Sequence, residues 1–315
     1  MLENKNRKAP IEKSEGPLAL AWKRFFKHKL ARISLSILIV FVLLAVFSPW
    51  ICQFLGVSYD DPSAAKFLGS SKKHIFGTDH IGRDVFARLL FGARVSLSVG
   101  LISALMAAFI GTVIGALAGY FGGFLDSILM RFTDAMMALP TLPLMILFAA
   151  VDLKNVLPFL PTTLLEGNQA SILKLVIIVV FFSWMTVARL VRGSTLSLRE
   201  REFVLAAQAI GVRQIDIIFR HIIPNCVAPI IVASTLSVGG IILYESVLSF
   251  LGLGIQPPMP SWGNMLTGAQ DYLRSSPLLA VYPGLFILIT VVAFNFIGDG
   301  LRDAFDPKFV FSKKK

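Results

Sequence analysis

The chain is poor in charge and nearly free of cysteine. Asp, Glu, Lys and Arg make up 16% of its 315 residues, against 55% hydrophobic residues. With a mean hydropathy of +0.73, a water-soluble domain is excluded. Uncharged runs such as 33–59 and 95–125 have the length that a hydrocarbon core of about 30 Å demands. The two cysteines, Cys52 and Cys226, lie far apart and form neither a disulfide framework nor a metal pattern. No G-x-x-x-x-G-K-[ST] segment occurs, so the chain has no phosphate-cradling loop of that kind and cannot hydrolyse ATP through such machinery. Acidic residues are outnumbered 19 to 30 by basic ones, for a net charge of +11. That charge is scattered over the termini and loops, which reads as membrane topology and speaks against a nucleic-acid surface.

What is present is a series of apolar segments. Six spans are predicted, at Ile33–Phe54, Val95–Tyr120, Ser127–Val151, Ala170–Arg189, Val227–Ser249 and Leu278–Ile297. The fourth is the weakest: its charge-free part runs only from Leu175 to Ala188, so Lys174 must reach for the interface. Inside lipid only helices of this length satisfy their own backbone hydrogen bonds, so an all-α integral membrane protein is expected. Basic residues cluster before the first span (Lys5, Arg7, Lys8, Lys13, Lys23, Arg24, Lys27, Lys29, Arg32). They recur between the fourth and fifth (Arg192, Arg199, Arg201, Arg213, Arg220) and after the sixth (Arg302, Lys308, Lys313 to Lys315). Six spans put all three groups on one side, which the positive-inside rule makes cytoplasmic. The expectation is a multi-pass protein of the cytoplasmic (inner) membrane with both termini inside.

The organisation expected is a basic segment 1–32, an extra N-terminal helix 33–54, an extracytoplasmic entry segment 55–94, a core 95–298 containing a cytoplasmic loop 190–225, and a tail 299–315. Within 1–32, Leu18–Leu30 carries Trp22, Phe25 and Phe26 among lysines and reads as a helix lying on the inner leaflet. The basic region is too long, and the apolar run after it too extended, for a signal peptide.

Several residues stand out. Gly111, Gly115 and Gly119 recur every four positions and offer a bare helix face for close packing. Between two apolar runs lies a charged island, Arg199 to Asn225. It reads as a helix over 202–210 stopped by Gly211, a second over 213–221, and Pro224 opening the fifth span. Ala206 and Ala207 give the first helix a narrow flank suited to a groove on another protein; the alternative is a cap folded on its own bundle. Arg131 and Asp134 are spaced to pair on one helix face. Glu245, an intramembrane acid, is expected to face either the pathway or a neighbouring helix. His74, Asp79, His80 and Asp84 can be drawn as a metal site, but aspartates capping a helix that starts near Asp79 or Asp84 are the preferred reading, and no metal is expected.

These residues carry a resemblance. Ala206-Ala207, Gly211 and Ile223-Pro224 resemble the EAA motif of inner-membrane permease subunits of ABC importers. Leu205 stands where that motif has glutamate, His221 where it has isoleucine and Ile223 where it has leucine; Glu202, one turn earlier, is the candidate for the missing acid. Further segments are similar to the C-type permease of the dipeptide, oligopeptide and nickel family. They are HIFGTDHIGRDV at 74–85, GARVSL at 92–97, AGYFGGFLD at 118–126, ESVLSFLGLG at 245–254, PPMPSWG at 257–263 and FNFIGDGLRDAFDP at 294–307.

The resemblance implies a five-helix transport core preceded by one extra helix, without catalysis or bound cofactor of its own. It implies a second, homologous permease subunit, two ABC ATPase subunits holding ATP and magnesium, an extracytoplasmic solute-binding protein, and surrounding lipid. The implied docking residues are Glu202, Leu205, Ala206, Ala207, Gln208, Gly211, Ile223 and Pro224, with Arg131, Asp134 and Glu245 as pathway or gating candidates. Di- or oligopeptide is the implied cargo, with a nickel chelate or another solute as the alternative. A secondary transporter would need a coupling-ion site and often a repeat, and neither is visible. An intramembrane aspartyl protease, suggested by Gly298-Asp299-Gly300, lacks a second aspartate in matching context.

Overall fold

The computed structural model describes residues 17–62, 64–151 and 167–306. The basic stretches 1–16 and 307–315, together with residues 63 and 152–166, lie outside them. All regular elements among the described residues are helical.

Helix α1, Pro17–Lys27, is separated from α2, Lys29–Leu55, by His28, whose Nδ1 accepts the Ala31 N–H at 3.1 Å and caps α2. The expected interfacial helix 18–30 therefore ends at Lys27. It is also no free surface helix: Ala21 and Phe25 are buried against Ala31 and the helix at 278–305, while Trp22 stays 58% exposed.

Helix α3, Val85–Phe121, starts ten residues before the predicted span, capped by Asp84, whose Oδ1 accepts the Ala87 N–H at 2.7 Å. Its 37 residues rise ~55 Å, so it overshoots a bilayer; charge-free runs mark the lipid-facing part of a helix and miss such an extension. It is the central helix. Half of its most apolar stretch is buried, against 22 to 28% for the other long apolar helices, Lys29–Leu55, Gln214–Phe250 and Leu278–Phe305.

The predicted third span is broken in two. Helices α4, Gly123–Ala138, and α5, Thr141–Ala150, meet at 86°. Pro140 is the cause: it has no N–H to donate, and it forces Leu139 into an extended conformation (φ −79°, ψ 143°). The fourth span is bent as well, with α6, Gly167–Phe181, meeting α7, Met185–Arg199, at 42°. Since α7 runs on to Arg199, the first third of the expected loop 190–225 is helix.

Helix α8, Glu202–Ala209, follows after a short turn. The expected independent helix over 213–221 is instead the beginning of the fifth span. Helix α9, Gln214–Ile217, passes through a π turn at Ile218–Ile222 and a 3-10 turn at Ile223–Cys226 into α10, Val227–Phe250. Pro224 cannot donate to the helical ladder, and the wider π turn and tighter 3-10 turn absorb that loss without a break. Helix α11, Trp262–Thr267, is held by a reciprocal cap between Ser261 and Asn264, and α12, Leu278–Phe305, continues eight residues past the predicted end.

Four long helices can cross a membrane, and six spans result when each bent pair counts once. Large apolar side chains such as Val40 and Phe47 on α2, Leu105 and Phe109 on α3 and Leu288 on α12 face outward, as bilayer solvation requires.

The glycine stripe lies against α7. A β-carbon at Gly111 would stand 2.5 Å from the Trp184 carbonyl oxygen, one at Gly115 3.0 Å from the Arg192 nitrogen, and one at Gly119 2.7 Å from Thr195 Cβ. Mostly backbone, these neighbours cannot rotate away, so the two helices approach as closely as glycine permits.

Candidate functional site

The bundle has two ends. At one, Leu190 of α7, Ala228 of α10 and Arg302 of α12 share a cavity wall, and α1 and α8 lie there too; this is the basic end. At the other lie the entry segment and α11.

At the basic end α8 rests on the tips of α3 and α7. Val204 and Ala207 are buried among Tyr120, Val187, Val191, Ile217, Ile218 and Ile222, and the Gln208 amide lies 3.3 Å from the Tyr120 hydroxyl. Ala207 thus faces the bundle, correcting the expectation that it shares an outward flank with Ala206. The outward face includes Glu202, Phe203, Leu205, Ala206 and, just past the helix, Ile210 at 80% exposure. At Gly211 φ is +82°, a conformation that lets Val212 donate back to the Ala207 carbonyl at 3.0 Å and ends the helix. Ile223 is half-buried and Pro224 exposed.

This platform is braced electrostatically. Arg192 of α7 grips Asp126 of α4 with two hydrogen bonds, Nε to Oδ1 at 2.5 Å and Nη2 to Oδ2 at 2.6 Å, the bidentate geometry for which guanidinium is suited. Arg199 Nη1 donates to the Tyr120 carbonyl at 3.3 Å. Asp134 pairs with Arg189 of α7 (Nη2 to Oδ1 2.5 Å, Nε to Oδ1 3.1 Å), not with Arg131, which is exposed. An arginine from the facing helix can present two N–H groups to one oxygen, which a neighbour on the same helix does not do here.

Midway along the bundle, both helix breaks open onto one cavity of about 230 Å³, walled by Met137, Thr141, Ser183, Thr186, Ser237 and Tyr244. Glu245 does not line it. It is fully buried between helices, where its Oε2 accepts from Ser96 Oγ and its Oε1 from Ser249 Oγ, both at 2.8 Å. Ser96 Oγ in turn accepts the Trp262 N–H at 3.3 Å. Of the two expectations for Glu245, the structure has the second: it fastens α3, α10 and α11 together.

At the opposite end the aspartates act on their own turns. Asp79 Oδ1 accepts the N–H groups of Ile81 (3.0 Å) and Arg83 (2.9 Å), and Oδ2 accepts Arg83 Nε at 2.7 Å. Burial pushes the Asp79 carboxyl up, but the Arg83 backbone N–H and guanidinium outweigh it and hold it below the usual carboxylate range. His74 Nδ1 lies 2.8 Å from Asp84 Oδ2. Among the described residues no three His, Cys, Asp or Glu side chains converge on a metal position.

Arg88 of α3, 5% exposed, and the partners Ser96, Asp126, Arg189 and Arg192 were not singled out from the sequence as partners in contacts. Arg88 had a local signal, as a charge inside the apolar run that follows Asp84. The others had none, because their partners lie 55 to 149 residues away.

Comparison with known proteins completes the description. Residues 111–311 match the family model described as binding-protein-dependent transport system inner membrane component, and residues 16–67 match the N-terminal TM domain of oligopeptide transport permease C. The dipeptide transport system permease protein DppC of Alkalihalophilus pseudofirmus is 42% identical over 93% of this chain and 90% of that protein. The oligopeptide transport system permease protein OppC of Escherichia coli K12 is 42% identical over 91% and 90%, and the glutathione transport system permease protein GsiD of Shigella flexneri 41% over 91% and 89%. Among solved structures, a chain of the inward-facing MetNI methionine ABC transporter superposes with a TM-score of 0.51 at 17% identity, covering 69% of this chain and 95% of that one. That likeness extends to the fold.

Proposed function

The chain belongs to the family of binding-protein-dependent transport system inner membrane components, as a permease subunit of an ABC importer, and from that premise we propose that it carries di- or oligopeptides. The cargo follows from the relatives, which are named for dipeptide, oligopeptide and glutathione transport. In this reading the basic end faces the cytoplasm, a second homologous permease completes the pathway, and an extracytoplasmic binding protein delivers peptide to the opposite end. Two ABC ATPases, which hold the ATP and magnesium, seat α8 in their clefts.

The observation that carries the docking role is the two-sidedness of α8. Its inward residues Val204 and Ala207 are buried, whereas Phe203, Leu205 and Ile210 stand exposed at 42, 51 and 80%, beyond the charged surface that a cytoplasmic helix would otherwise present. Glu202, exposed at its start, is placed to supply the acid that Leu205 replaces. Motion has a route: α8 is packed on α7, α7 is locked to α3 by bare glycine contact and to α4 by the Arg192–Asp126 fork, and α4 and α7 each end at a break that borders the 230 Å³ cavity. Closing the ATPases would displace α8 with these helices as a rigid body and turn the segments beyond the breaks, which is hinge motion at element termini.

The test is co-purification from membranes followed by reconstitution in liposomes. Recovery of a second permease and Walker-motif ATPases, with ATP-dependent peptide uptake, supports the reading. A solitary chain that still moves solute refutes it.

A further inference from the structure

At the opposite end from α8, beneath the entry segment, lies a cavity of about 320 Å³ that none of the proposed transport roles uses. Its walls come from the turn before α3 and the first turn of α3, the end of α10 and the loop after it, α11, and Leu279 at the start of α12. Arg83, Arg88 and His80 supply its polar side, and Val85, Ile255 and Leu279 are part of its apolar side.

The charges here do not balance. Asp79 is the sole acid on the wall, and it is already engaged by its own turn: Oδ1 takes two backbone N–H groups and Oδ2 takes Arg83 Nε at 2.7 Å. Arg88 reaches the same Oδ2 only at 3.8 Å, outside hydrogen-bond range. Its side chain is 6% exposed, and its Nη1 has no hydrogen-bond partner. His80 is depressed below its ordinary value by burial and by the surrounding cations, so at neutral pH it adds no charge. Two guanidinium groups therefore face one carboxylate, and a buried guanidinium nitrogen is left without an acceptor, which is costly unless something supplies one.

We propose that this cavity binds a small organic carboxylate, whose oxygens are received by Arg88 and whose apolar body lies against Val85, Ile255 and Leu279. A guanidinium fork matches a carboxylate in geometry and charge. The volume falls at the lower end of ordinary small-ligand pockets, and the apolar wall distinguishes an organic acid from a bare inorganic anion. The proposal concerns the end of the bundle away from α8 and stands independently of the docking reading.

The full chain in lipid nanodiscs is titrated with N-acetyl-leucine and, separately, with its neutral amide N-acetyl-leucinamide, following the thermal unfolding midpoint and the heat of binding. The acid raises the midpoint saturably and the amide does not. Arg88→Gln weakens binding of the acid about tenfold to a hundredfold, as expected for a lost charge-assisted hydrogen bond. Gln256→Trp, at an exposed position on the cavity wall, abolishes binding without touching Arg88, and so keeps the test sound where Arg88→Gln fails to fold. Equal responses to acid and amide overturn the proposal. So does an equal response to chloride or phosphate at the same concentration, or undiminished binding in Gln256→Trp.

Discussion

Replacing Gly115 by alanine adds one methyl group at the tightest part of the α3–α7 contact. The new β-carbon would lie 3.0 Å from the Arg192 nitrogen and 3.0 Å from Val191 Cβ, and nearer still to the Ala188 carbonyl oxygen. Carbon contacts relax at about 3.5–4.0 Å, so the helices must part by roughly 0.5–1 Å. A gap of that size forfeits about a quarter to a half of each dispersion well along the seam, and overpacking of this kind costs about 1–3 kcal/mol. Gly193, on α7, has nothing within 4 Å of its would-be β-carbon, so Gly193→Ala is the matched control; it gains helix propensity and loses no contact. The assay is reversible unfolding in detergent, with peptide uptake by the reconstituted importer alongside. Gly115→Ala is expected to lower stability by that amount and to reduce uptake, because the parted helices also displace the Arg192–Asp126 fork. Gly193→Ala leaves both unchanged or slightly improved. A Gly115→Ala protein as stable and active as the parent refutes the argument that bare backbone contact holds α3 to α7.

Other substitutions separate the remaining roles. Leu205→Asp, at a 51% exposed position, leaves the unfolding free energy within about 0.5 kcal/mol of the parent while abolishing ATPase recovery and uptake; Val204→Asp, at a fully buried one, destabilises the chain itself. Glu202→Lys reduces ATPase binding with unaltered folding, and unaltered coupling would dismiss Glu202 as the replacement acid. Asp79 has a folded-state pKa below its ordinary value, so its stabilising contribution is fully present above about pH 3.9, the unfolded value. It is lost as pH falls through the lower folded value. Unfolding followed between neutral and strongly acidic pH should show this loss, and Asp79→Asn should be less stable at neutral pH and lack that part of the acid transition.

What was legible in the sequence was whatever depends on nearest neighbours. Apolar run length located the four long helices and the two bent pairs that bring the spans to as many as six, and the period of four at Gly111, Gly115 and Gly119 marked the bare face of α3. The aspartates of the entry segment were readable as helix and turn caps, since a cap acts within three or four residues. Where the reading failed, the decisive partner was distant or the decisive property was geometric. Hydropathy carries no direction, so a predominantly apolar stretch over 127–151 concealed an 86° bend; the sign was there in Pro140, which an average over neighbouring residues smooths away. Arg131 and Asp134 have the spacing of a pair, yet Asp134 takes Arg189 from 55 residues away. Ala206 and Ala207 are indistinguishable by composition, and only the bundle beneath them decides that one is buried and the other exposed. Glu245 shows most clearly why. Its cost in a membrane made it conspicuous, but whether it bordered a pathway or joined helices depended on Ser96, 149 residues earlier, whose hydroxyl accepts from Trp262 and donates to Glu245. Isolated in the sequence, that serine is an unremarkable polar residue in an apolar run; in the fold it is the link between three helices.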